Sequence, residues 1–74
     1  MPKLKILSGA ELCRLFELNG FVNVRQRGSH RVMQKKTEGG TVTVPLPMHG
    51  EIKIGTLLSI IRQSGIARSH FESE

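Results

Sequence analysis

The first apolar stripe along the chain predicts an amphipathic helix that begins near Ser8. Residues 8–11 have the spacing of a capping box, in which the Ser8 oxygen accepts a hydrogen bond from the Glu11 amide and the Glu11 carboxylate accepts one from the Ser8 amide. The apolar residues that follow occupy the i, i+3 and i+4 positions of one helix face: Leu12, Leu15 and Phe16. Gly20 ends the pattern, because glycine readily adopts the left-handed conformation that follows a helix C-terminus.

Alternating apolar and polar positions then predict three short strands joined by tight turns. The predicted strands span residues 21–27, 30–36 and 41–44. Gly28-Ser29 separates the first two strands as a two-residue hairpin turn. Pro45 and Pro47 lack the amide hydrogen that a sheet ladder uses, so the third strand either ends there or lies at the edge of the sheet.

A second apolar stripe predicts a helix that begins at Gly55-Thr56 and ends at Ser64-Gly65. Its apolar face is formed by Leu57, Leu58, Ile60 and Ile61. Ile66 is expected to fold back onto the core, and residues 67–72 to form a last short helical turn. The predicted order is α-β-β-β-α, an α+β fold with two helices packed on one face of a three-stranded antiparallel sheet. All of residues 1–74 are expected to form one domain.

Composition indicates the cellular compartment in which such a domain works. The sequence has no apolar run of the length that a membrane span needs, and its N-terminal apolar stretch is too short for a signal peptide. The single cysteine, Cys13, cannot form an internal disulfide and is expected to be a small packing residue. We therefore expect a cytoplasmic protein.

The net charge of +5 is concentrated in one segment of the chain. Residues 25–36 contain five cations and no acid, whereas the remaining cations and anions balance. The five cations are Arg25, Arg27, Arg31, Lys35 and Lys36. Such a cluster is what a polyanion-binding face requires, although a solvated, solubilising hairpin would show the same composition.

His30 is the candidate for proton transfer, because it directly follows the Gly28-Ser29 turn at the centre of this basic segment. Cutting RNA without a metal requires a group that moves protons at the ribose and at the leaving oxygen, and histidine suits that role near neutral pH. Arg27 and Arg31 flank His30 in the sequence, so either could hold the same phosphate. A surface histidine without a role is the alternative interpretation.

Two further positions are candidates for supporting roles. His49 follows a proline-containing segment and could be a second proton-transfer group, a substrate contact or a loop residue. Lys53 precedes the second helix, whose N-terminal amides at Gly55-Thr56 form a potential phosphate site. The three histidines are scattered and the acids are unpaired, so no metal site is predicted, and no glycine-rich nucleotide loop is present to suggest a cofactor.

Several segments together resemble the HicA toxins of toxin–antitoxin pairs. The segments are Ser8-Gly9-Ala10-Glu11-Leu12, Gly20-Phe21, Arg25-Gln26-Arg27-Gly28-Ser29-His30, Thr43-Val44-Pro45, His49, Gly55-Thr56-Leu57 and residues 60–66. The resemblance implies a double-stranded-RNA-binding-like fold, mRNA cleavage that halts translation, His30 as the catalytic residue, and a HicB-type antitoxin as partner. One departure is that the family often reads Val-Pro-x-His, whereas two extra residues precede His49 here.

Three functional hypotheses follow. The first is a ribonuclease toxin that acts on mRNA, with His30 as its catalytic residue, His49 as a supporting residue, and no metal or cofactor. Its predicted RNA-binding residues are Arg25, Arg27, Gly28, Ser29, Arg31, Lys35 and Lys53. The second is a non-catalytic double-stranded-RNA-binding module, and the third is a protein-interaction module whose basic face meets an acidic partner. The first is favoured because Gly-Ser-His lies at the centre of the basic segment.

Overall fold

The computed structural model describes residues 3–73 and contains two α-helices, one short 3₁₀ helix and five strands. The elements in chain order are β1 (Lys3–Leu4), α1 (Gly9–Leu18), β2 (Val22–Arg27), β3 (His30–Thr37), β4 (Gly40–Pro47), α2 (Ile54–Ser64), the 3₁₀ helix (Arg68–Phe71) and β5 (Glu72–Ser73). Met1, Pro2 and Glu74 lie outside the described residues, so the structure does not bear on the expectations for the extreme termini.

The main sheet is antiparallel with the order β2-β3-β4, which confirms the predicted α-β-β-β-α fold. Gly28-Ser29 forms the first turn, and Gly28 has φ +58° while Ser29 has a negative φ. That is the pattern of a type II′ turn, in which glycine occupies the first central position. Pro45 and Pro47 lie inside β4 rather than after it, which the edge position of this strand permits.

Helix α1 begins with the predicted capping box. The Ser8 amide donates to Glu11 Oε1 at 2.9 Å, and the Glu11 amide donates to Ser8 Oγ at 3.1 Å. These two bonds satisfy backbone donors that no helical carbonyl reaches. The helix ends before Asn19, and Gly20 follows with φ +90°, as the sequence pattern predicted.

The core lies between the two helices and one face of the sheet. Helices and strands both contribute its fully buried side chains, among them Leu12, Phe16, Met33, Val44, Leu46 and Leu57. Phe16 is its centre, with its ring 4.7 Å from that of Phe21 and 6.5 Å from that of Phe71. Ile66 packs against the same cluster, as predicted.

Three further details differ from the sequence prediction. β1 pairs with β5, a two-residue ladder too short to leave a periodic pattern, and the Lys5 amide extends the contact by donating to the Phe71 carbonyl at 2.8 Å. α2 begins at Ile54, one residue earlier than expected. Leu58, placed on the apolar face of α2, is 39% exposed, because only the narrower stripe through Leu57 and Ile60 reaches the core.

Candidate active site

A cavity of about 600 Å³ lies between the edge strand β4 and helix α2, and it brings together residues from four parts of the chain. His30 comes from the start of β3, Pro47 from the end of β4, His49 from the following loop, and Thr56 from the first turn of α2. Two histidines that are 19 positions apart in the sequence therefore line one cavity.

His30 is the first residue of β3 and is exposed to solvent. In the two ladders it is paired with Arg27 on β2 and with Pro47 on β4, so these three side chains share a face of the sheet. Its Nδ1 atom lies 3.5 Å from Ser29 Oγ. The hairpin turn thus presents the imidazole at the cavity, and Gly28 is needed there for its positive φ.

The loop that carries His49 is tied to the hairpin and to α1 by backbone hydrogen bonds. The Met48 amide donates to the Ser29 carbonyl at 2.7 Å, and the Gly9 amide donates to the His49 carbonyl at 2.9 Å. The backbone on both sides of the cavity is therefore fixed by the fold, while the His49 side chain is exposed.

The first turn of α2 also borders the cavity. Lys53, Gly55 and Thr56 line it, and Lys53 is the N-cap residue. Within residues 3–73, no side chain caps this helix terminus, so the amides of its first turn are available to an anion. Glu51 lines the cavity as well and is the one acidic side chain among its lining residues in the described structure.

The basic residues of the hairpin divide between the two faces of the sheet. Arg25 and Arg27 are exposed and pair with Val32 and His30 in the β2–β3 ladder, so they share the face that carries His30. Gly28 and Ser29 lie beside them at the turn. Lys36, which also alternates onto this face, is exposed farther along β3.

Arg31 and Lys35 are not brought together with His30, because strand alternation turns them toward α1. Both are half-buried, and Lys35 Nζ lies 5.9 Å from the centre of the Phe21 ring. Arg31 Nε is buried without a hydrogen-bond partner among the described residues. These two cations occupy the helix-covered face, where phosphate contacts require their long side chains to reach around the sheet.

Cys13 is buried beside Arg31 and contacts the Met48 sulfur, with 3.7 Å between the two sulfur atoms. Burial raises the pKa of the Cys13 thiol, and the nearby Arg31 guanidinium opposes that shift only in part. A raised pKa keeps the thiol neutral and unreactive at neutral pH. The packing role expected for Cys13 agrees with this environment.

The sequence analysis singled out Gly55-Thr56 at the start of α2 but overlooked Ser59 and Gln63, two further polar residues of this helix that face the cavity. Thr56, Ser59 and Gln63 line it, at the i, i+3 and i+7 spacing that places residues on one helix face. The Gln63 side-chain amide donates from Nε2 to Ser59 Oγ at 2.9 Å. This polar row was visible in the sequence, but its proximity to His30 depends on how α2 packs along β4.

Residues 3–73 contain no group of three or more His, Cys, Asp or Glu side chains close enough together to hold a metal ion. In the same part of the chain, no helix has the length and apolar character that crossing a membrane would require.

Fold and site together define a small basic α-β-β-β-α protein with an exposed histidine at a hairpin tip beside a helix N-terminus. Residues 9–66 match the sequence model of the HicA toxin of bacterial toxin–antitoxin systems. Because this match covers most of the chain, the protein belongs to the HicA toxin family, as the resemblance of its motifs predicted. Membership gives it a toxin role and implies an antitoxin partner. A search of curated proteins found no match.

Proposed function

We propose that this toxin arrests translation by cutting mRNA as a metal-independent endoribonuclease, with His30 as the catalytic residue. The observation that carries the proposal is the shared cavity: His30 and His49 line it together with the uncapped N-terminus of α2. A proton-transfer group and an anion-binding terminus are the two components that phosphodiester cleavage without a metal needs.

The reaction requires two proton transfers at one phosphate. His30 takes the proton from the ribose 2′-hydroxyl, the 2′-oxygen bonds to phosphorus, and the bond from phosphorus to the 5′-oxygen breaks. A protonated imidazole returns a proton to that leaving oxygen, and His49 is the residue in the cavity that can do so. The products are a 2′,3′-cyclic phosphate and a free 5′-hydroxyl.

Charge on the phosphoryl oxygens is stabilised by the amides of the first turn of α2, which the helix orients, and by the flexible side chain of Lys53. The amides at Gly55 and Thr56 and the ammonium group of Lys53 border the cavity, where a helix N-terminus favours negative charge. Arg25 and Arg27 extend the positive surface along the face that carries His30 and contact the RNA backbone on either side of the cut.

We infer the biological partners from membership of the HicA toxin family. The substrate is mRNA, the protein acts in the cytoplasm, and a HicB-type antitoxin blocks it by covering the cavity and the basic face. An antitoxin surface that meets Arg25, Arg27 and Lys53 requires acidic side chains for charge complementarity.

Incubation of the purified protein with a defined mRNA in excess EDTA tests the proposal. We expect cleavage products that end in a 2′,3′-cyclic phosphate. RNA that stays intact would contradict the proposal, and salt-sensitive binding without cleavage would instead identify a non-catalytic double-stranded-RNA-binding module, which the exposed Arg25 and Arg27 would also support.

A further inference from the structure

The cavity extends from the N-terminus of α2 toward the C-terminal end of that helix. Thr56 lies in the first turn and Gln63 is the penultimate residue of α2, and both line the cavity. Seven residues of α-helix separate them by about 10 Å along the axis. The cavity is therefore longer than a single phosphate group at the N-terminus of α2 would need.

Gln63 has a side chain whose orientation is restricted by Ser59. Its Nε2 atom donates one hydrogen to Ser59 Oγ, at 2.9 Å, and Ser59 is half-buried in the wall of the cavity. A glutamine amide has two donor hydrogens and one acceptor oxygen. After the bond to Ser59 it keeps one donor and one acceptor, side by side and restrained in direction.

From this arrangement we infer that Ser59 and Gln63 form a subsite for one RNA base and that the subsite prefers adenine to guanine. The inference rests on the proposed function for RNA as the ligand. A paired donor and acceptor matches adenine, which offers the N6 donor beside the N7 acceptor, whereas guanine offers two acceptors, N7 and O6, on the corresponding edge. The geometry suits a nucleotide whose phosphate lies at the α2 N-terminus and whose base extends along the helix.

Apolar residues of the cavity lie beside the polar pair Ser59 and Gln63. Ser59 and Gln63 flank Ile60, a core residue that also lines the cavity floor. Because Ile60 is only 2% exposed, the apolar contact to the flat base comes from Pro45, which is exposed on β4 and lines the same cavity, while the Gln63 amide contacts the edge of the base.

Binding of two non-cleavable RNAs tests the inference independently of catalysis. The probes are fluorescein-labelled 2′-O-methyl octamers of uridine with one central adenine or one central guanine, titrated by fluorescence anisotropy. We expect the wild type to bind the adenine octamer at least about fivefold more tightly, the low end of what one bidentate side-chain contact to a base provides. Gln63→Met, which keeps the length but removes the amide, should bind both octamers equally.

Gln26→Met is the matched control, because Gln26 is an exposed glutamine on β2 that does not line the cavity. It should keep the adenine preference. Equal binding of both octamers by the wild type, or an unchanged preference in Gln63→Met, would overturn the inference, as would loss of the preference in Gln26→Met.

Unmodified RNA in EDTA separates the subsite from the proposed function. Adenine-selective binding without cleavage would refute the proposed function alone, and cleavage without base selectivity would refute the subsite alone.

Discussion

Gly9 is the point of closest packing between α1 and the loop that carries His49. A Cβ atom at this position would collide with the Pro47 carbonyl oxygen and lie 2.7 Å from the Met48 Cα. Backbone atoms cannot move aside as a flexible side chain can, so the first turn of α1 would have to separate from the segment that leads to His49.

We therefore predict that Gly9→Ala lowers the free energy of unfolding by about 1–3 kcal/mol, the usual effect of overpacking. Urea denaturation measures it. Gly55→Ala is the matched control, since a Cβ there meets nothing within 4 Å in the described structure and alanine favours the helix. Equal stability of Gly9→Ala and the wild type would show that this contact is looser than the structure indicates.

At the scale of single elements, α1 depends on its capping box. Hydrogen bonds from the Ser8 backbone and side chain lower the pKa of Glu11. Because the folded-state pKa is depressed, the carboxylate stabilises the fold above its ordinary pKa of 4.5, and that contribution is lost as the pH falls through the folded-state value.

Two variants of the capping box test this contribution. Ser8→Ala is expected to lower the free energy of unfolding by about 1 kcal/mol at neutral pH. Glu11→Gln keeps the hydrogen-bonding shape of the box, so its deficit relative to the wild type should be present at neutral pH and disappear on acidification below the folded-state pKa. Thermal unfolding across pH 3–7 measures both, and a Glu11→Gln deficit that grows on acidification would contradict the assigned role of the carboxylate.

The elements themselves were largely predictable from local chemistry. The capping box, the Gly28-Ser29 turn and the apolar stripe of α1 each determine structure within a few residues, and each prediction was confirmed, whereas the apolar face of α2 was confirmed only in part because Leu58 is exposed. The β1–β5 pair was not predictable, because two-residue strands are too short to show an alternation of apolar and polar residues. Their pairing also depends on where Phe71 enters the core.

At the scale of the whole molecule, the fold determines which cations lie on the same face of the sheet as His30. The sequence grouped five cations in residues 25–36, but alternation along β3 places Arg31 and Lys35 on the helix-covered face, while Arg25 and Arg27 remain beside His30. The cavity was equally hidden from the sequence, because the approach of Thr56, Ser59 and Gln63 to His30 arises from long-range packing of α2 on β4.

The distribution of the cations between the two faces of the sheet predicts how salt affects RNA binding. Each phosphate contact contributes roughly 0.7–0.9 to the slope of log affinity against log salt concentration. We expect Arg25→Gln and Arg27→Gln each to reduce the slope by about that amount, measured by fluorescence anisotropy at several salt concentrations. Arg62→Gln, on an exposed face of α2 outside the cavity, should leave the slope nearly unchanged. Equal effects of all three substitutions would indicate diffuse charge attraction without a defined face.

The central claim is that the His30 imidazole transfers a proton at a phosphate bound in the cavity, and the single-turnover cleavage rate of one defined RNA in EDTA tests it most directly. His30→Ala should lower that rate by about 10²–10⁴-fold without weakening RNA binding or lowering the melting temperature. His70→Ala, which removes an exposed histidine outside the cavity, should cleave at the wild-type rate. A His30→Ala protein that is folded, binds RNA and cleaves as fast as the wild type would contradict the account.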